Sequence, residues 1–254
     1  MSERAARSPV TGPALAVLGV VLLLAAWQAV AALRWFGTTV CAPTVVVRVF
    51  ADASSRRVLL DGAGATMLEA VEGFGWALLA AVVVGVLATL LPFLRSGLDQ
   101  LGTIESAIPF VAIAPILLAL FSRDTVPTAM AATTAFFPLY LALVSGLAAV
   151  SPAVADLCAA LGAARRDTLL RARIPAALPV LTTGMKTAIP LAVLGGVIGE
   201  WLGSSNGIGP IMLVAMRNYR MPMMWAAVVV TVVIALLLYG GCAALEWVTA
   251  RRFG

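Results

Sequence analysis

The chain has 254 residues, of which 62% are hydrophobic and only 11% charged, with no histidine and a net charge of +5. A mean hydropathy of +1.03 is far above that of a soluble globular domain. These figures exclude a sizeable water-soluble domain, and the missing imidazole removes the commonest general base and metal ligand.

A helix needs about 20 apolar residues to cross a bilayer. Six segments meet that need, at 13–33, 74–94, 101–121, 127–149, 177–203 and 224–247. The expected fold class is therefore all-α, a polytopic membrane protein with a tail over 1–12 and one transmembrane domain over 13–254. The first segment follows a positively charged start, as a signal peptide does. It is too long for one and five further spans follow, so it is expected to remain a span.

Between the first and second spans lies 34–73, with Pro43 and the charges Arg48, Asp52, Arg56, Arg57, Asp61, Glu69 and Glu72. Residues 65–73 are expected to form a surface helix leading into span two, and the segment to lie along the outer membrane face. Spans three to five and their flanks hold Pro109, Pro115, Pro127, Pro138, Pro175, Pro179 and Pro190. Proline removes a helix hydrogen bond and kinks the axis. Broken helices surround the midplane path of many transporters, and kinked spans also occur in receptors and structural membrane proteins. Gly184, Gly195, Gly196 and Gly199 allow close helix approach in span five.

The charged interruption from Ser151 to Pro179 is the most informative stretch. It holds Asp156, Arg165, Arg166, Asp167, Arg171 and Arg173 between two strongly apolar segments. Ser151 followed by Pro152 is a good helix start. A first helix is expected to about Leu161, a break at Gly162, and a second helix over Ala164 to Arg173 that ends before Pro175. Leu157, Leu161, Leu169, Leu170 and Ile174 would hold both helices at the membrane surface. Two readings fit: a docking surface gripped by a soluble partner, or an amphipathic loop lying on lipid.

Other chemistry finds little support. Intramembrane proteolysis needs paired aspartates, a Ser–His pair or an HExxH helix, and none is present. Glu105 and Glu200 are the main carboxylates in apolar surroundings, and a buried charge costs about 2.5–3.5 kcal/mol on the insertion scale. Glu200, beside Trp201, belongs either at the outer interface or in a polar interior. A self-contained ion-coupled carrier would usually show intramembrane carboxylates and more spans. Gly184-Met185-Lys186-Thr187 resembles the end of a phosphate loop, but Met185 replaces the glycine that must precede the lysine. Cys41, Cys158 and Cys242 fall in different regions and suggest neither a disulfide framework nor a metal site. If ATP drives this protein, another chain binds it.

Positive charge sets the expected orientation. With a cytoplasmic N-terminus, Arg4, Arg7, Arg95, Arg165, Arg166, Arg171, Arg173, Arg251 and Arg252 fall inside. Arg34, Arg48, Arg56, Arg57, Arg123, Arg217 and Arg220 then fall outside. The excess charge reads as membrane topology, and no soluble basic face for nucleic acid is visible.

Asp156-Leu157-Cys158, three residues, then Gly162, then Ile174-Pro175 and Pro179, resembles the EAA loop of binding-protein-dependent ABC importer permeases. Asp156 stands in place of the family's glutamate, and Leu157 and Cys158 in place of its two alanines. Pro43-Thr44, Ala112-Ile113-Ala114-Pro115, Phe136-Phe137-Pro138 and Gly184-Met185-Lys186 are similar to the nitrate/sulfonate/taurine branch. Gly199-Glu200-Trp201-Leu202-Gly203 and Gly207-Ile208-Gly209 are similar to its thiamine-precursor (hydroxymethylpyrimidine) and riboflavin permeases.

The resemblance implies a type I ABC importer permease fold in the bacterial inner membrane, with both termini cytoplasmic. It implies a second permease copy, a cytoplasmic ATPase dimer that binds ATP and Mg, and an extracytoplasmic solute-binding protein, with no cofactor in this chain. It places ATPase coupling on Asp156, Leu157, Cys158, Gly162, Ala163, Arg165, Arg166, Ile174 and Pro175, and offers Glu200, Pro115 and Phe137 as pathway or gate residues. The expected solute is a pyrimidine, thiamine precursor or riboflavin-like molecule, with a small anion such as an alkanesulfonate, taurine or nitrate as the alternative.

Overall fold

A computed structural model describes residues 11–91, 93, 97, 100, 108–150 and 152–253. Glu105, Ser151 and the tail over 1–10 lie outside the described residues, as does most of the start of the third predicted span. Among the described residues the chain is entirely helical. The helices are α1 (Thr11–Ala32), α2 (Pro43–Ala51), α3 (Ala53–Leu90), α4 (Phe110–Leu120), α5 (Val126–Ala148) and α6 (Pro152–Ala160). They continue as α7 (Arg165–Thr168), a π-helical turn (Leu169–Arg173), α8 (Ile174–Glu200), α9 (Ile208–Arg217) and α10 (Met221–Phe253). Five helical runs among the described residues are long and apolar enough to cross a membrane, and α4 is the described end of a sixth apolar segment.

The segment over 34–73 differs from the expected surface helix. α3 has 38 residues, about 57 Å of helix, against about 30 Å of hydrocarbon. Residues 65–73 are therefore the middle of one rod that continues into span two. Asp52 starts it: its carboxylate accepts from the Ser54 hydroxyl at 2.6 Å and the Ser55 N–H at 2.8 Å. The Ser54 and Ser55 donors hold the Asp52 carboxyl down at about 2. A depressed carboxyl stabilises above its unfolded value near 4 and loses that contribution as pH falls toward 2, so the cap is intact at neutral pH. No proline follows until Pro92 to break the rod.

α5 and α8 form the centre, with α3 against them. Ala77 and Ala81 of α3, Ala131, Ala135 and Leu139 of α5, and Ala188 and Ala192 of α8 are buried together. In lipid no hydrophobic drive pulls helices together, so small side chains that let backbones close up supply the packing. Thr134 of α5 donates its hydroxyl across the gap to the Leu191 carbonyl at 2.8 Å. Opposite it, a Cβ on Gly195 would sit 2.6 Å from the Met130 carbonyl oxygen. α10 packs on the far side of α8, and α1 leaves Leu15, Val17, Leu18 and Leu22 exposed to lipid.

Gly195→Ala is expected to force α5 and α8 apart and lower stability by about 1–3 kcal/mol, the usual range for overpacking. At Gly196 the nearest atom to an added Cβ is Ala131 Cβ at 4.0 Å. Gly196→Ala should therefore be neutral or stabilising, by up to about 1 kcal/mol from helix propensity. Thermal unfolding of the two purified variants in detergent checks the contrast.

Candidate functional site

Three features stand out: the exposed segment between α5 and α8, a groove along those two helices, and a buried polar knot at the far end of α8.

α6 ends in a left-handed turn at Gly162, whose φ is +70°. The Ala163 N–H returns to the Cys158 carbonyl at 2.9 Å, the bond that closes a Schellman cap. Among the described residues no atom lies within 4 Å of where a Gly162 Cβ would be, so glycine is favoured there by backbone conformation and not by crowding. Leu157 and Leu161 are exposed, at 59% and 76%, as are Ala163 and Arg166. Cys158, Ile174 and Pro175 are half-buried. Asp156 and Arg165 lie on described backbone, but their side chains lie outside the described residues.

The second short helix does not end before Pro175. The Ile174 N–H bonds to the Leu169 carbonyl, a five-residue spacing, and the helix runs straight on into α8. The wider π turn leaves room for the proline ring where an α turn would clash with the preceding carbonyl. Of the five expected anchors, Leu169 is buried against Leu143, Leu147 and Ala177, with Ile174 beside it. Leu157, Leu161 and Leu170 remain exposed. The segment is thus pinned by its C-terminal half to α5 and α8, and its apolar N-terminal half is presented outward.

On the same helices runs an open groove of about 510 Å³, lined by Pro138, Ala142 and Ser145 of α5 and by Pro179, Thr183 and Thr187 of α8, among others. Among the described residues no charged side chain lines it. Phe137 packs into the core beside it, and Pro115 is exposed on α4.

At the other end of α8, Glu200 is fully buried. Its Oε1 accepts from the Thr66 hydroxyl of α3 at 2.5 Å, and its Oε2 accepts from the Gly209 N–H. Thr66 Oγ1 in turn accepts from the Ile208 N–H at 2.9 Å. The carboxylate and hydroxyl therefore cap the N-terminus of α9 from outside it. Gly207 adopts φ +111°, and a Cβ there would collide with the Glu200 carboxyl. Glu69 turns toward the same carboxylate, and its Oε2 is buried with no hydrogen-bond partner. The structure thus places Glu200 in a polar interior, while Trp201 beside it is 48% exposed. Thr66 is not recognisable as the partner of Glu200 from sequence, because 134 residues separate the two.

Residues 77–247 match the family described as the inner membrane component of binding-protein-dependent transport systems. A probable ABC transporter permease protein of Haemophilus influenzae is 32% identical, covering 93% of this chain and 95% of that one. The formylaminopyrimidine transport permease ThiX of Halalkalibacterium halodurans is 29% identical over 65% of this chain and 68% of its own. The riboflavin transport system permease RibX of Chloroflexus aurantiacus is 29% identical over 94% and 90%. The fold matches a chain of the inward-facing MetNI methionine ABC transporter with a TM-score of 0.70 and 16% identity, covering 78% of this chain and 99% of that chain. The chain belongs to the binding-protein-dependent permease family, and it is a transport subunit of the inner membrane, not an enzyme.

Glu200→Ala leaves the Thr66 hydroxyl and the Gly209 N–H buried without an acceptor, at about 1–3 kcal/mol each. Glu200→Gln keeps one acceptor oxygen. The expected order of melting temperature in detergent is wild type above Glu200→Gln above Glu200→Ala.

Proposed function

We propose that this permease of an ABC importer carries its solute along the α5–α8 groove, and that the 152–175 segment is where a separate ATPase takes hold. The observation that carries the reading is mechanical. One continuous helix, through the π turn into α8, joins the exposed segment to the groove wall, and Leu169 fixes that junction against α5. A displacement of the segment therefore becomes a displacement of the groove.

The groove is open on one side. A second copy of the chain facing it would close the passage, which supports a permease pair. ATP and Mg belong to the ATPase dimer, and this chain performs no covalent step. ATP binding draws the ATPase pair together, the two segments follow, and the helix pairs rock between inward and outward openings. A solute-binding protein delivers cargo at the outer face, where 34–65 and 204–222 lie, with both termini and 152–175 cytoplasmic. The arginine distribution supports that orientation.

The solute we favour is a pyrimidine, thiamine precursor or riboflavin-like molecule. The absence of a cation among the groove's lining residues supports it over an alkanesulfonate, taurine or nitrate.

Two experiments test this reading. Gly162→Asp imposes strain of about 1 kcal/mol on a solvent-facing turn and adds a charge there. It should leave insertion and melting temperature nearly unchanged while weakening association with the ATPase and stopping uptake, whereas Arg57→Ala on the outer side should do neither. Normal ATPase association and uptake in Gly162→Asp would remove the segment from the mechanism. For orientation, single cysteines at Ser54 and Ser205, in a background without the three native ones, should react with an impermeant reagent on intact cells.

A further inference from the structure

Lys186 and Glu246 place opposite charges between α8 and α10, with Nζ and Oε2 2.5 Å apart. Lys186 stands twelve residues after Ile174 and fourteen before Glu200, so about 18 Å and 21 Å of helix flank it. That is mid-depth. The two side chains are 23% and 24% exposed, and the Tyr239 ring lies 5.9 Å from the ammonium. The pair closes one wall of a small polar layer, in which Thr182 and Thr249 also meet at 2.8 Å.

This layer reaches the groove through Thr183, which lines it. A threonine hydroxyl has one proton to give. For Thr183 two acceptors are in range, the Glu246 Oε1 at 2.7 Å and the Pro179 carbonyl at 3.1 Å. The carboxylate is both closer and charged, and takes the proton. Thr187, one turn on, gives its proton to the Gly184 carbonyl at 2.8 Å. What both threonines have left to offer the groove is acceptor capacity. Ser145 on the facing helix is exposed and can act either way.

We infer that Glu246 determines the class of solute: it cancels the charge of Lys186 beside the groove and binds the Thr183 proton, leaving an electroneutral, acceptor-bearing passage suited to an uncharged solute with N–H or O–H donors and unsuited to an anion. The inference rests on the groove being the translocation path. An amino- or hydroxyl-bearing heterocycle meets those acceptors with its donors. A sulfonate or nitrate, which has only acceptors, finds lone pairs facing lone pairs and a cation already neutralised. Glu246 acts here as a positioning residue, one hydroxyl away from the solute.

The test reads the groove's potential without needing the natural solute. Thr187→Cys is placed in a background lacking the native cysteines, in membranes containing the whole importer. Its reaction rates are measured with a sulfonate-bearing and a trimethylammonium-bearing methanethiosulfonate. Glu246→Gln keeps the side-chain volume and unmasks Lys186, and should raise the anionic-to-cationic rate ratio about tenfold or more. Lys186→Met should lower it by a similar factor, and the double variant should return it to the starting value, which also shows that the fold survives both changes. A reactive cysteine whose ratio moves in neither single variant overturns the role of Glu246 and leaves the path reading standing. A Thr187→Cys that reacts with neither reagent shows a dry groove, and overturns the path reading together with the inference.

Discussion

The close contact between α5 and α8 is the constraint on which the rest depends. Lipid tails are as apolar as leucine, so these helices gain nothing by hiding apolar surface from water. They gain by dispersion and by interhelical hydrogen bonds, and both require small residues. Ala131, Ala135, Ala188 and Ala192 are buried at the contact, Gly195 lies under the Met130 carbonyl, and Thr134 bonds across it to Leu191. The same two helices carry the groove, receive the exposed segment through Leu169, and end at the Glu200 knot.

Much of this architecture is legible in the sequence because hydropathy is a strong signal. The fourth span, expected at 127–149, is found at Val126–Ala148, and the fifth, expected at 177–203, at Ile174–Glu200. The break at Gly162 is also legible, since a glycine between two amphipathic runs has few other reasons to be there, and its φ of +70° matches a C-terminal cap. The departures have local causes. The rod of α3 reaches far beyond span two because Asp52 caps it and nothing interrupts it. The helix passes through Pro175 because a π turn makes room. Neither the cap's geometry nor the extra residue in a turn shows in periodicity.

The site is less legible, since its partners meet only through the tertiary fold. Glu200 stands out as a carboxylate at the end of an apolar run, but Thr66 and the Gly209 amide become its partners only when α3, α8 and α9 meet. Glu246 carries a clearer sign. It lies at the end of the apolar run expected at 224–247, where a carboxylate among apolar side chains is favoured by an opposite partner. Lys186, within the fifth span, is the matching cation. Reading both together would pair α8 with α10 before any coordinates are seen. Pro115 and Phe137, suggested by motif likeness, have no such physical demand behind them, and the groove is lined by Pro138 and other apolar residues together with the hydroxyls of Ser145, Thr183 and Thr187 instead.

The three features differ in the kind of interaction each uses, and that difference suits a machine with two openings. The exposed segment offers leucines and arginines to a partner in water, where burying apolar area is favourable. The groove offers the Thr183 and Thr187 hydroxyl oxygens, whose protons are already held elsewhere, so on the proposed path a solute would be met without being gripped. The knot at Glu200 satisfies every backbone amide it touches and ties three helices at a point where looseness would leave polar groups unpaired in the interior. Rocking motion can then be borne by the helix contacts made of small side chains, which slide with little loss of dispersion, while the knot and the Lys186–Glu246 pair keep register. On this view the polar layers in an otherwise apolar bundle fix which helices move as one body, with α8 moving together with α10 at the ion pair and with α3 and α9 at Glu200.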